Sequence, residues 1–218
     1  MKLYYASSSP YVKKVLACAI ELGIDNAIEL IPCNVPERDD ELRQYNPLGK
    51  IPAMLTRSGS VLFDSPVICR WLAASARDTR LYPPDPAEMA RAMTLEALGD
   101  GIVDACQIRR KELLRGEAHL RQDVVDHQRK AMLGGLDALE SGSIALGDPD
   151  QPTIGELAIG TALDYFDFRF DFERWRETRP ALELWYRKLS ARASMTHTLL
   201  KPVDQGRGTF VEYRTRRI

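Results

Sequence analysis

Residues 3–23 read LYYASSSPYVKKVLACAIELG, and they predict a strand, a short polar loop and a helix in immediate succession. Residues 3–5 are a brief strand candidate, and after Pro10 the apolar side chains recur at the three- and four-residue spacing of one helix face. Ser9 is a good N-cap, Pro10 suits the first helical position, and Gly23 is a good helix stop. The chain therefore opens as an α/β unit.

The next elements along the chain continue this α/β pattern. We predict a second strand over residues 27–31 and a polar helical stretch over residues 39–45. Residues 53–56 and 61–63, joined across a Ser-Gly-Ser turn, have the pattern of a hairpin. Ser65, followed by proline, then repeats the cap-and-proline start of a helix. This order of elements predicts a mixed sheet of four strands.

The character of the sequence changes at residues 81–86, where three prolines form a stiff connector. Beyond it the pattern is helical almost throughout, and the spacing of Thr153 and Glu156 is that of a capping box. We therefore predict three parts, which are an α/β domain over residues 1–80, an all-helical domain over residues 87–203 and a basic tail over residues 204–218.

One segment of the helical part departs from this pattern. Phe166, Phe168, Phe170 and Phe172 alternate with charged residues, which is the periodicity of a strand. Because no candidate pairing strand lies nearby, we predict a helix end that runs into an aromatic loop.

The charge balance and the cysteines exclude several classes of protein. Thirty Lys and Arg residues against thirty-one Asp and Glu give a net charge of −1, without the basic footprint of a nucleic-acid binder or a polybasic membrane binder. The chain has no apolar run near the ~20 residues of a membrane span, and no signal-peptide core at its start.

Its four cysteines form no Cys-x-x-Cys pair, which predicts free, buried thiols in a reducing, cytoplasmic compartment. These cysteines are Cys18, Cys33, Cys69 and Cys106.

Ser9 is the first candidate for chemistry. A serine at the start of a helix lies beside unpaired backbone N–H groups and the positive end of the helix dipole, which is a place for an anion. A plain structural cap is the alternative. The three histidines, His119, His127 and His197, lie in the second half of the chain and lack the spacing of metal ligands, so neither a serine hydrolase nor a metal site is predicted.

Two further motifs complete a set with the serine loop. Residues 46–52 read Asn-Pro-Leu-Gly-Lys-Ile-Pro, and residues 63–66 read Phe-Asp-Ser-Pro. With Ser-Pro-Tyr at 9–11 and the later capping box, these motifs resemble the cytosolic glutathione transferases over essentially the whole chain, although Asp is more common there than Glu156. The resemblance implies a thioredoxin-like first domain, an all-helical second domain and a homodimer that uses glutathione as a co-substrate without a metal.

The same resemblance implies which residues bind the tripeptide. The Ile51–Pro52 bond would be cis, which turns the backbone of Ile51 outward to pair with the cysteinyl part of glutathione. Asp64 would meet the α-amino group of the γ-glutamyl part, and Ser65, capping its helix, would bind the adjacent carboxylate. Lys50 would add a charge contact at the glycine end, or would be an ordinary exposed lysine.

The resemblance assigns catalysis to Ser9, whose hydroxyl would donate a hydrogen bond to the glutathione sulfur. Thioredoxins and glutaredoxins carry Cys-x-x-Cys where this chain has Ser9 to Val12, so disulfide exchange by a dithiol of the protein itself is excluded. Tyr4 and Tyr5 could supply a hydroxyl instead, but their strand position favours packing. For the acceptor pocket we expect Tyr11 and, on a later helix, Ile108.

The sequence thus predicts a glutathione transferase that activates the glutathione thiol as a thiolate for addition to, or substitution on, small electrophiles. Two alternatives stay open at this point. One is a non-catalytic binding or regulatory protein with this fold. The other is a glutathione-dependent isomerase or dehalogenase, in which the serine motif normally includes a cysteine that residues 7–9 lack. The basic tail would be a solvated chain end or would fold over the acceptor site.

Overall fold

A computed structural model describes residues 1–33 and 39–201 of the chain. They divide into two compact units. The first comprises Met1–Tyr82 together with the segment that begins at Arg192, and the second comprises Pro83–Ala191. The structure therefore groups residues 192–201 with the α/β unit, whereas the sequence predicts them at the end of the helical domain. The predicted basic tail over residues 204–218 lies outside the described residues.

The two units differ in secondary structure as the sequence predicts, with all strands of the described residues in the first unit. In chain order the elements are β1 (Lys2–Tyr5), α1 (Pro10–Glu21), β2 (Glu29–Pro32), α2 (Asp39–Arg43), β3 (Ala53–Leu55), β4 (Val61–Leu62), α3 (Ser65–Ala76), α4 (Pro86–Leu113), α5 (Gln122–Glu140), α6 (Ile154–Phe170), α7 (Trp175–Thr178), α8 (Pro180–Ser190) and α9 (Ala193–Thr196).

The sheet of the first unit has the strand order β2-β1-β3-β4. β1 pairs with β2 in parallel, while the β1–β3 and β3–β4 pairs are antiparallel, which confirms the mixed four-stranded sheet. Tyr4 lies opposite Ala53, and Met54 lies opposite Leu62. The carboxyl end of β1, the start of β3 and the end of β4 therefore meet at one edge of the sheet.

The core of the first unit forms where α1 and α3 pack beside the sheet. Leu3, Met54, Ile68 and Leu72 are completely buried there. Each such side chain stabilises the fold by about 1.5–3 kcal/mol relative to exposure. The strands and helices cannot separate without exposing these side chains, so the sheet edge is held rigidly.

The C-terminal segment 192–201 is held along α1 by two polar anchors. Lys13, only 2% exposed, donates from Nζ to the carbonyl oxygen of Thr198 at 3.1 Å and to its Oγ1 at 2.9 Å. Glu21 accepts two hydrogen bonds of 2.8 Å from Arg192. Burial alone would raise the pKa of Glu21, but the bonds from Arg192 outweigh it and hold this pKa below its ordinary value. These anchors explain why the segment belongs to the first unit.

In the helical unit, the predicted capping box opens α6. The Thr153 hydroxyl accepts the N–H of Gly155 at 3.2 Å, and the Thr153 N–H donates to Glu156 at 2.8 Å. Arg91 of α4 donates to the same carboxylate at 2.7 Å. Burial would raise the pKa of Glu156, but the bonds from Thr153 and Arg91 keep it below its usual value. The cap thus also ties α6 to α4.

The aromatic segment is helical for longer than the sequence predicts. α6 continues through Phe170, and only then does a 3₁₀ turn follow over Asp171–Glu173. Phe166 and Phe170 are buried on this helix, whereas Phe172 is 60% exposed. The segment is therefore helical and not a strand, as predicted, and of its phenylalanines only Phe172 lies beyond the end of α6. Among the described helices, none is both long and apolar enough to cross a membrane.

The packing of α4 against α6 gives a test with a matched control. A Cβ added at Gly99 would lie 2.7 Å from the backbone carbon of Ala158, whereas one added at Gly101 would meet nothing within 4 Å. Gly99→Ala should lower the free energy of unfolding by about 1–3 kcal/mol through overpacking, and Gly101→Ala should raise it by about 0.5–1 kcal/mol through helix propensity. Urea denaturation of both variants measures this difference, and equal effects of the two would contradict the close helix approach.

Candidate functional site

Three loops meet at the sheet edge described above. They are the loop from β1 into α1, the loop over residues 46–52 that leads into β3, and the two residues between β4 and α3. Because Tyr4 lies opposite Ala53 in the β1–β3 pair, the first two loops are neighbours. The register of Met54 opposite Leu62 brings in the third. The structure therefore brings together the three motifs that the sequence analysis singled out.

Ser9 is the N-cap of α1, as predicted, with extended backbone angles of φ −86° and ψ 118°. Its Oγ accepts the N–H of Val12 at 3.3 Å. That bond uses an oxygen lone pair, so the hydroxyl proton can be donated to a second partner. The half-buried Ser9 thus presents an O–H donor at the positive end of a helix of 12 residues.

The neighbouring hydroxyls have other contacts. Ser7 donates from Oγ to the carbonyl of Lys201 at 3.4 Å, and its own carbonyl accepts the Lys201 N–H at 3.1 Å. Tyr4 and Tyr5 are 4% and 1% exposed, which agrees with the predicted packing role. Of these hydroxyls, that of Ser9 has the geometry of a donor to a bound anion.

Asn46 organises the loop that precedes β3, and the sequence analysis assigned it no role. Its side chain is almost completely buried; it donates from Nδ2 to the carbonyl of Lys50 at 2.7 Å and accepts the N–H of Leu48 on Oδ1 at 3.0 Å. Gly49 supplies the left-handed φ of +61° that the turn requires. An Asn-Pro pair near a glycine is the signal that could have predicted this Asx turn.

The loop ends in a cis peptide bond between Ile51 and Pro52, as expected. Ile51 is half-buried against a cluster of apolar side chains that includes Tyr4 and Leu42. Lys50 is exposed, so its predicted contact with the glycine end of a ligand stays a prediction.

The start of α3 corrects one expectation. Asp64, not Ser65, occupies the N-cap position, and Ser65 is the first helical residue with Pro66 second. The Asp64 side chain makes no hydrogen bond to the end of its helix and is exposed, so the carboxylate is accessible to a ligand. Ser65 is 1% exposed, and its N–H belongs to the first turn. The Phe63–Asp64 peptide bond is also cis.

The residues expected near the acceptor stay predictions. Tyr11 is half-buried on α1 in the first unit, and Ile108 is 45% exposed on α4 in the second unit.

The cysteines agree with the sequence analysis, since all four are free and buried. Burial raises the pKa of the Cys106 thiol to about 12, so this thiol is protonated at neutral pH. Within the described residues, no group of histidine, cysteine and acidic side chains could hold a metal ion.

The fold and the site together define a class of protein with two units. The first unit is thioredoxin-like and contains a helix capped by serine, and the second unit is helical. A sequence model of the glutathione S-transferase N-terminal domain matches residues 8–75, and one of the C-terminal domain matches residues 122–188. The chain belongs to the glutathione S-transferase family.

Its relatives include solved structures. The chain is 34% identical to the uncharacterized GST-like protein YibF of Escherichia coli (strain K12), over 91% of this chain and 98% of that protein. A glutathione transferase family member from Pseudomonas fluorescens Pf-5, crystallised with bound glutathione, has a TM-score of 0.85 and 37% identity over 93% of this chain and 99% of its own. A probable maleylacetoacetate isomerase of Caenorhabditis elegans is 28% identical over 78% of this chain and 79% of its own length.

Asn46→Ala tests the construction of the site. The change leaves the Lys50 carbonyl and the Leu48 N–H without their partner, which should lower the free energy of unfolding by about 1–3 kcal/mol. Gln44→Ala, at an exposed position just before the loop, should change it by less than about 0.5 kcal/mol. Chemical denaturation compares the two variants, and an unaffected Asn46→Ala protein would remove the loop's dependence on this side chain.

Proposed function

We propose that this protein is a glutathione transferase in which Ser9 activates the glutathione thiol. The observation that carries the proposal is the Ser9 hydroxyl at the amino-terminal end of α1, beside the loop that ends in Ile51 and Pro52. The Pseudomonas fluorescens protein, with glutathione bound and 37% identity, supports the choice of ligand.

The energy that Ser9 can supply is sufficient for the chemistry. A thiol of pKa ~8.5 is only about 3% ionised at pH 7, and lowering this pKa by ~2 units requires roughly 2.7 kcal/mol of stabilisation of the thiolate. A hydrogen bond to a charged group supplies about 1.5–3 kcal/mol. The amino-terminal end of a helix adds about 0.3–1 kcal/mol. Neither a metal nor a general base is therefore needed to form the thiolate.

The remaining residues of the sheet edge bind the tripeptide in this proposal. The exposed Asp64 carboxylate meets the positive α-amino group of the γ-glutamyl part. Ser65 offers its N–H, in the first turn of α3, to the neighbouring carboxylate. The backbone of Ile51 pairs with the cysteinyl part as an added strand, with Pro52 holding its orientation, and Lys50 contacts the glycine carboxylate.

The bound thiolate then attacks the acceptor. In substitution, the sulfur forms a bond to the electrophilic carbon, the leaving group departs with its electron pair, and the thiol proton has passed to solvent. A second Pseudomonas fluorescens structure, 36% identical with a TM-score of 0.82, contains S-(propanoic acid)-glutathione. That compound is a thioether of glutathione with a small acid, which supports carbon–sulfur bond formation as the reaction class.

A glutathione-dependent isomerase is the second candidate, favoured by the similarity to the probable maleylacetoacetate isomerase. The same thiolate would add to a double bond and leave again after rotation, so no net conjugate would form. Turnover of maleylacetone against chlorodinitrobenzene separates the two activities. We further propose that the protein is cytoplasmic, which agrees with its four free cysteines. We also propose that it is a homodimer, and light scattering measures the mass that tests this.

Ser9→Ala should keep the affinity for glutathione and lose most of the turnover. Restoring the thiol pKa to ~8.5 reduces the thiolate about 25-fold at pH 7, and the deficit should shrink above pH 9, where the free thiol ionises unaided. Steady-state rates between pH 6 and 9.5 test this, with Ser7→Ala as the control for the neighbouring hydroxyl. A loss that is independent of pH would contradict thiol activation by Ser9.

Asp64→Asn should weaken glutathione binding and keep most of the turnover, the reverse of the effect expected for Ser9→Ala. Removing the charge opposite the α-amino group should weaken glutathione binding by about tenfold or more, while kcat at saturating glutathione falls by less than about threefold. Asp40→Asn, an exposed carboxylate of α2, is the charge-matched control. Calorimetry with glutathione measures the affinity, and equal affinities of the two variants would exclude Asp64 from the site.

A further inference from the structure

The C-terminal segment 192–201 reaches the loop that carries Ser9, and both belong to the first unit. The N–H of Lys201 donates to the carbonyl oxygen of Ser7 at 3.1 Å, and the Ser7 hydroxyl donates to the Lys201 carbonyl at 3.4 Å. The first of these bonds joins two backbone groups, so it persists when the Ser7 side chain is replaced. The chain thus returns, 194 residues later, to a point two residues before Ser9.

The part of the loop that Lys201 contacts is a tight turn. The Ser9 N–H donates to the carbonyl of Ala6 at 3.1 Å, which closes a β-turn with Ser7 and Ser8 at its centre. The Ser7 carbonyl belongs to the central peptide of this turn, and rotation of that peptide is what distinguishes turns of type I from turns of type II. The bond from Lys201 therefore holds the central peptide in one orientation, directly before Ser9.

The first turn of α1 is tied to the same segment. The Ser9 carbonyl accepts the N–H of Lys13 at 3.1 Å. Lys13 Nζ donates to the carbonyl oxygens of Met195 at 3.0 Å and Thr198 at 3.1 Å, and to the Thr198 hydroxyl at 2.9 Å. Thr198 is 1% exposed, and its hydroxyl donates to the carbonyl of Ser194 at 2.6 Å. The segment thus holds both the turn before Ser9 and the helical turn after it.

We propose that Lys201, through its backbone N–H, is a positioning residue for Ser9, so that the C-terminal segment sets the direction in which the Ser9 hydroxyl meets the glutathione sulfur. This inference rests on the proposed transferase function. A hydrogen bond weakens steeply as its donor angle departs from a straight line. A displacement of about 1 Å in an active site can cost about 100-fold in rate. Rotation of the central peptide of the turn displaces Ser9, because Ser9 directly follows that peptide.

Lys201→Pro tests the inference against Lys201→Ala. Both variants lose the charge of an exposed lysine, but only proline lacks the N–H. Ultraviolet titration of bound glutathione should give a thiol pKa about one unit higher in Lys201→Pro than in the wild-type protein, and an unchanged pKa in Lys201→Ala. Equal thiol pKa values in the two variants would overturn the inference and leave the transferase function intact.

The kinetics of Lys201→Pro should follow from the same shift. Turnover of chlorodinitrobenzene at saturating glutathione should fall about threefold at pH 7 and recover above pH 9, where the thiol ionises in every variant. The affinity for S-methylglutathione, which has no thiol, should stay the same, because the contact acts on the hydroxyl and not on the tripeptide. A deficit that is independent of pH would contradict positioning of Ser9.

Thr198→Val is a second variant, and it leaves the backbone of residue 201 intact. It removes the hydroxyl that Lys13 contacts, which should raise the thiol pKa of bound glutathione by about half a unit. Thr196→Val removes an exposed hydroxyl from the same segment and is the control, with an unchanged thiol pKa. Equal pKa values in these two variants would show that the segment does not act on Ser9.

Amide hydrogen exchange separates the inference from catalysis. A peptide that covers residues 6–12 should exchange about tenfold faster or more in Lys201→Pro than in Lys201→Ala, while peptides from β3 and α3 exchange equally in both. Faster exchange confined to this loop supports the positioning contact even if bound glutathione titrates like free glutathione in the wild-type protein, an outcome that would count against the transferase function alone. Equal exchange of the loop in the two variants would overturn the inference, whatever their turnover.

Discussion

The antiparallel pairing of β1 with β3 is the constraint on which the functional edge of the first unit depends. Tyr4 opposite Ala53 fixes the register, and a shift by one residue would turn every side chain of the strand to the other face. The buried Leu3 and Met54, which also lie opposite each other, make such a shift costly. The loop that carries Ser9 and the loop that ends in Pro52 therefore meet because the hydrophobic pattern permits no other register.

Local signals were sufficient to predict most elements of this unit. The bounds of α1 follow from Ser9, Pro10 and Gly23, each of which acts on its own few residues. Contacts between distant parts of the chain could not be predicted in this way. Lys13 is a polar residue in an amphipathic helix, and only the packing of residues 192–201 shows that it is buried and holds that segment.

The position of Ser65 illustrates the same limit within a single motif. A serine followed by proline has the pattern of a cap followed by the first helical residue, and at Ser9 this interpretation is confirmed. At α3 the chain enters the helix one residue earlier, so Asp64 takes the cap position and Ser65 lies inside. Proline is accepted at either of the first helical positions because neither N–H has an intrahelical partner. The sequence pattern could therefore predict where α3 begins to within one residue, but not which residue is its N-cap.

A serine rather than a cysteine at the amino-terminal end of α1 would make the reactivity of the proposed site depend on the bound ligand. The field of a helix terminus stabilises any anion beside it, and a cysteine there would be a reactive thiolate even in the empty protein. The serine hydroxyl does not ionise, so in the proposed transferase the sulfur would arrive with the ligand, and the thiolate would exist only while the tripeptide is bound. Under the same proposal, a binding residue such as Asp64 would control whether the thiolate forms without contacting the sulfur. All four cysteines are buried, so the chain's own thiols would not compete for an electrophilic acceptor of the proposed transferase.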